Sequence, residues 1–229
     1  MVLNLMATTS ATKPVKLPPP PGWAAPALQG LAFWIGHRRA LYSDYPLGES
    51  ALVAELCNLI QRHLPAEKQL RCEVQYAELK VKPEWLGPLA RMDLLVSLRP
   101  TAPEVHPTPQ VAIEVKRASA AKALIDSDFK RLAALKAAHS EMRAFLVVVA
   151  EASRPKQFVN EYGEAVEKSQ SIADTDFRYK VRRVLKASHT FKPDRLHHAQ
   201  YAYLVEILPK RPTPPPRTNK TLKLAARKS

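Results

Sequence analysis

The 229-residue chain has only two cysteines, Cys57 and Cys72, and neither belongs to a CxxC pair nor stands near a histidine at metal-ligand spacing. That pattern indicates neither a disulfide framework nor a zinc site, so both read as small apolar residues. Glycine is also scarce, at 6 residues against 21 prolines, and the prolines gather at the two ends and in one internal loop. They mark where packing stops. No apolar run approaches the roughly 18 residues a membrane helix needs, and the N-terminus lacks a basic stretch followed by a continuous apolar one. A cytoplasmic protein with no membrane partner is expected.

What is present suits one soluble α/β domain, since 229 residues with 46% hydrophobic content can bury a sizeable core. The formal net charge of +14 favours polyanionic partners such as nucleic acid. Its distribution matters more. The segment 209–229 carries Lys210, Arg211, Arg217, Lys220, Lys223, Arg227 and Lys228 without one acid, which is half of the excess. We expect residues 1–22, ending in Pro18 to Pro21 and Gly22, to be a disordered proline-rich lead-in and 209–229 to be a disordered basic tail. The folded domain is then 23–208, with its core at 48–151.

Within that span, Glu49 to Leu64 repeats apolar residues at helical spacing from a Gly48 start, and Pro65 closes the helix. Leu70 to Leu79 alternates as a strand with Leu70, Cys72, Val74 and Tyr76 on one face. Met92 to Leu98 and Gln110 to Val115 read as further strands, joined by a loop holding Pro100, Pro103, Pro107 and Pro109. A helix follows through Ile125 to Ala138, then the continuous apolar run Arg143 to Ala150, typical of a strand buried on both faces. Two short helices are expected around Phe158 to Lys168 and Thr175 to Lys186. A last strand covers Ala199 to Leu208.

The chemistry concentrates in two neighbouring strands. Asp93 lies in Arg91-Met92-Asp93-Leu94, and Ile113-Glu114-Val115-Lys116 follows after the proline loop. Glu114 and Lys116 are two apart and share a face, while Val111, Ile113 and Val115 point the other way. If the two strands pair, Asp93 comes to lie beside Glu114. Two converging carboxylates repel unless a cation sits between them, and oxygen donors without Cys or His select Mg²⁺ or Mn²⁺. The backbone carbonyl of Val115 and water would complete the sphere, and Lys116 would stabilise charge on a phosphate under attack.

Asp93 with the tripeptide Glu114-Val115-Lys116 resembles the PD-(D/E)XK, or restriction-endonuclease-like, nuclease superfamily. Met92 stands where the motif's name has proline. The resemblance covers about 48–151. It implies an α-β-β-β-α-β core with a central mixed sheet flanked by helices, here extended by a C-terminal strand. It further implies Mg²⁺-dependent hydrolysis of phosphodiester bonds, in DNA rather than RNA, and it admits a homodimer. Relatives carry a further acid in the first core helix. Glu49, in line with Val53, Leu56 and Ile60, is preferred to Glu55 for that role.

Arg117, Lys122, Lys130 and Arg131 are the candidates for contact with a phosphate backbone. Asp128 reads as a surface residue near Arg131, and His197-His198 as exposed loop residues. Trp23, Trp34 and Trp85, with Tyr201 and Tyr203, read as packing. Two other readings stand beside the nuclease: a nuclease-like domain that binds nucleic acid or a protein without cutting, and an interaction protein whose proline-rich ends recruit a partner.

Overall fold

A computed structural model describes residues 17–42, 47–102, 104–151, 154–187 and 199–210. Two helices come first, α1 (Ala24–Leu41) and α2 (Glu49–His63). Strand β1 (Lys68–Gln75) leads through a short 3₁₀ turn (Tyr76–Leu79) to β2 (Arg91–Leu98) and β3 (Thr108–Arg117). Helix α3 (Lys122–Ala138) and β4 (Arg143–Ala150) follow, then β5 (Gln170–Ser171), β6 (Phe177–Ala187) and β7 (Gln200–Pro209). The strands form one seven-stranded mixed sheet in the order β1-β2-β3-β4-β7-β6-β5. Only β3 and β4 pair in parallel, and α3 makes the crossover between them. Among the described residues no helix is long and apolar enough to cross a membrane.

Helices cover both faces. On one side α1 and α2 pack Leu31, Ile35, Leu56 and Ile60 against Leu94, Ile113, Phe145 and Leu204. On the other, Phe129 and Leu132 of α3 meet Met92, Ala112, Leu146 and Tyr203. Strand β4 lies between these layers with Ala144 to Ala150 wholly buried, as its unbroken apolar run predicts. Truncating Leu146 to alanine there would cost about 2–5 kcal/mol, because the cavity cannot collapse between two packed layers.

The sequence reading assigns no element to 24–41, yet Ala24, Ala27, Leu28, Leu31, Ala32 and Ile35 form a helical ladder in α1. Small residues hide it by lowering its apparent hydrophobicity. They also let α1 approach α2: a Cβ on Gly30 would lie 2.8 Å from the Leu59 side chain.

Three expectations are corrected. Thr175 to Lys186 is not a helix; most of it is β6, paired along its length with β7. Phe177, Tyr179 and Val181 alternate correctly for a strand, but a register shift between Val181 and Arg183 breaks the alternation and makes the segment resemble a helix. Phe158 to Lys168 is a looped turn rather than a helix. Gly163 adopts φ +77°, and the Asn160 side chain accepts from the backbone N–H groups of Tyr162 and Glu164. Within the lead-in, Pro18 and Pro19 are tied to the sheet: Arg182 donates to the Pro18 carbonyl at 2.6 Å and Arg143 to that of Pro19 at 2.7 Å. Residues 1–16, the tail from 211 onward and His197-His198 lie outside the described residues.

Candidate active site

A local break in β1 and β2 creates the polar centre. Leu70 and Cys72 face the layer of α1 and α2, whereas Val74 and Tyr76 face α3, so the expected single face of β1 does not exist. The residue between, Glu73, has φ 54°, a left-handed conformation that reverses which side the next residues address. Its partner strand reverses at the same level, Met92 facing α3 and Leu94 facing α2. Asp93 sits at this reversal.

The β2–β3 register ends at Leu94↔Ile113. Beyond it Val115 N–H donates to Asp93 Oδ2 at 2.6 Å, so a side chain takes the place a ladder carbonyl would have filled. Asp93 is thereby fixed beside Glu114, near enough for the two carboxyls to perturb one another. Glu114 is only 2% exposed. Tyr76 donates to its Oε1 at 2.6 Å, and Arg131 Nε approaches the same oxygen at 3.4 Å.

Electrostatics follow from that crowding. Burial and the charge of Asp93 push Glu114 up to about 8, against the opposing pull of Arg131 and Tyr76. Burial raises Asp93 as well, although the Val115 N–H and Lys116 work against it. The two behave as one coupled pair that retains a proton near neutrality. Two carboxyls side by side are donors that could hold a divalent ion, which would displace the shared proton. Among the described residues no group of three or more His, Cys, Asp or Glu is arranged for a metal; an ion held by Asp93 and Glu114 would take its other ligands from water or substrate oxygens.

Lys116 emerges two residues beyond Glu114. Its ammonium donates to Glu49 Oε2 at 2.8 Å and lies 3.3 Å from Asp128 Oδ2. Burial lowers its pKa, but these two partners outweigh burial and hold it above the ordinary lysine value. Glu49 also accepts from the Arg117 backbone N–H at 3.5 Å. Thus the first residue of α2 meets the end of β3, and Glu49 is the helix acid that contacts Lys116.

Asp128 corrects the expectation of a surface residue. It is 1% exposed and pairs with Lys116 and Arg131. Its position was legible, since Asp128 lies three residues after Ile125 and four before Leu132, on the buried stripe of α3. Tyr76 is the other residue missed in this role; the reading placed it in a strand rather than on the turn that delivers its hydroxyl.

The four basic candidates divide. Arg117 is turned inward, donating to the Leu47 carbonyl at 2.8 Å and to Glu151 at 3.0 Å, and Arg131 is held by Glu114 and Asp128. Lys122 and Lys130 remain at the surface, paired with Asp126 and Asp174, and line a cavity of about 160 Å³ with Gln157, Gln170 and Tyr179. Trp85 departs from the packing expectation, being 55% exposed. No known protein family, curated protein or solved structure matches the chain.

Proposed function

We propose that the chain is a metal-dependent nuclease of the PD-(D/E)XK kind that hydrolyses phosphodiester bonds in DNA. One observation carries the reading: the Val115 N–H holds the Asp93 carboxylate at 2.6 Å, between Glu114 and Lys116 on the neighbouring strand. The succession α2, β1, β2, β3, α3, β4 around that point supports it.

Mg²⁺ or Mn²⁺ held by Asp93 and Glu114 would neutralise charge at the scissile phosphate. Lys116 contributes a second positive charge beside it, steadied by Glu49 and Asp128, where negative charge develops as the phosphate is attacked. Tyr76 and Arg131 fix the orientation of Glu114 by holding one of its oxygens. Lys122 and Lys130, at the surface and paired with Asp126 and Asp174, are the candidates for contact with a phosphate backbone.

A second reading, nucleic-acid or protein binding without cleavage, draws on a specific feature: Lys116 is already satisfied by two carboxylates and Glu114 Oε1 by two donors. Incubation with plasmid, linear and single-stranded DNA plus Mg²⁺ or Mn²⁺ separates the two. Cleavage by the native protein, lost in Asp93→Ala and Lys116→Ala, is the expected result. Cleavage retained by Asp93→Ala eliminates the mechanism, and retarded DNA without cutting favours the silent binder.

A further inference from the structure

The two cysteines, 15 positions apart, meet in space. Cys57 is on α2 and Cys72 on β1, and their Sγ atoms lie 3.2 Å apart in a thiol–thiol hydrogen bond. Both are free thiols, and Cys72 is exposed. They are the only cysteines in the chain, so neither has a competing intramolecular partner. Closing the gap to the roughly 2.05 Å of a disulfide needs about 1 Å of movement, within reach of side-chain rotation on an exposed strand residue.

We propose that Cys57 and Cys72 are an oxidative modification site, forming an intramolecular disulfide that latches α2 to β1. The co-reactant is a small-molecule disulfide such as oxidised glutathione. One cysteine thiolate attacks it, forming a mixed disulfide and releasing one small thiol. The second cysteine sulfur then displaces the other, so the protein loses two hydrogens and the reagent is reduced to two thiols. In a reducing compartment the pair stays open.

The latch bears on the polar centre without depending on the nuclease reading. Helix α2 carries Glu49, which holds Lys116, and Cys72 pairs across the sheet with Leu94, the neighbour of Asp93. Burial, the Cys57 hydrogen bond and the charges of Glu73 and Asp93 push the Cys72 thiol up to about 12, so exchange in neutral solution is slow until the partner sulfur is engaged. Once closed, the bond ties a loop of about 15 residues and removes freedom from the unfolded chain.

The test uses full-length protein, reduced or treated in native buffer with oxidised glutathione. Thiol titration after denaturation should fall from two groups to none in a monomer, with peptide mapping joining Cys57 to Cys72. The melting temperature should rise by about 6 °C or more. Cys57→Ser and Cys72→Ser single variants should stop at the mixed glutathione adduct and gain no thermal stability. Persistence of two thiols, an unresolved adduct in the native protein or an intermolecular dimer would overturn the site. A correct cross-link with unchanged melting temperature would overturn the latch.

Discussion

Two glutamates are buried to nearly the same degree in this sheet, Glu114 at 2% and Glu206 at 3% exposure, yet their surroundings are opposite. Glu206 of β7 is gripped by two guanidinium groups, Arg143 at 2.7 Å and Arg182, one on each carboxylate oxygen. The same arginines reach on to Pro19 and Pro18, so the cluster ties the incoming chain to the sheet. Glu114 of β3 faces a second acid, and its one guanidinium neighbour stands at 3.4 Å. A buried charge with matched partners serves the fold, whereas one forced against a like charge costs stability, and it is there that the proposed nuclease reading puts its chemistry.

The largest expected effect is catalytic. Replacing Asp93 with alanine should lower divalent-dependent cleavage by about 10²–10⁴, measured by initial rates on plasmid with an unchanged circular dichroism spectrum. Glu206→Gln should leave the cleavage rate within a few-fold. Equal losses in both variants would erase the distinction between the two buried acid clusters.

Stability should show the reverse. Glu206→Ala leaves Arg143 and Arg182 facing a buried vacancy and should cost about 3–5 kcal/mol in urea unfolding. Glu114→Gln keeps the uncharged form that burial and Asp93 favour and should be neutral or stabilising. A comparable loss in Glu114→Gln would make that residue a structural ion-pair member like Glu206.

The pH dependence follows from the raised Glu114. Its folded value of about 8 exceeds the ordinary 4.5, so the folded state holds a proton that the unfolded state has released. The associated stability is complete below about 4.5 and is lost as pH rises through about 8. The metal-free protein should therefore show a falling melting temperature across that window, and Glu114→Gln should flatten the slope. A melting temperature that rises with pH in native protein but not in Glu114→Gln would reverse the sign.

How much of this was legible turns on where local pattern and tertiary structure agree. The pairing of Asp93 with Glu114 followed from strand spacing, because neighbouring antiparallel strands with a short loop bring those positions together. The run 143–150 identified its own burial. Other features depended on partners that a single chain cannot display. The left-handed Glu73, where β1 changes face, gives no compositional signal. Strand β6 owes its form to pairing with β7, which overrides a locally helical look. Asp128 lay on a visible apolar stripe, but a charge there reads as exposed until Lys116 and Arg131 are seen to meet it.

The smallest expected effect concerns the surface. Lys122→Ala and Lys130→Ala should each weaken DNA binding a few-fold and reduce its salt dependence by about one phosphate contact, with stability within about 0.5 kcal/mol of native. Arg117→Ala should act chiefly on stability, since that side chain is spent on Leu47 and Glu151. Binding loss from Arg117→Ala at native stability would instead place it on the nucleic-acid surface.

The account rests on Asp93 and Glu114 sharing a divalent ion. Titration calorimetry with Mn²⁺ near pH 7, repeated in buffers of different ionisation enthalpy, measures that directly. The account predicts binding accompanied by proton release from the pair, with both signals lost in Asp93→Ala. Binding undiminished in Asp93→Ala, or none by native protein at millimolar Mn²⁺, would contradict it.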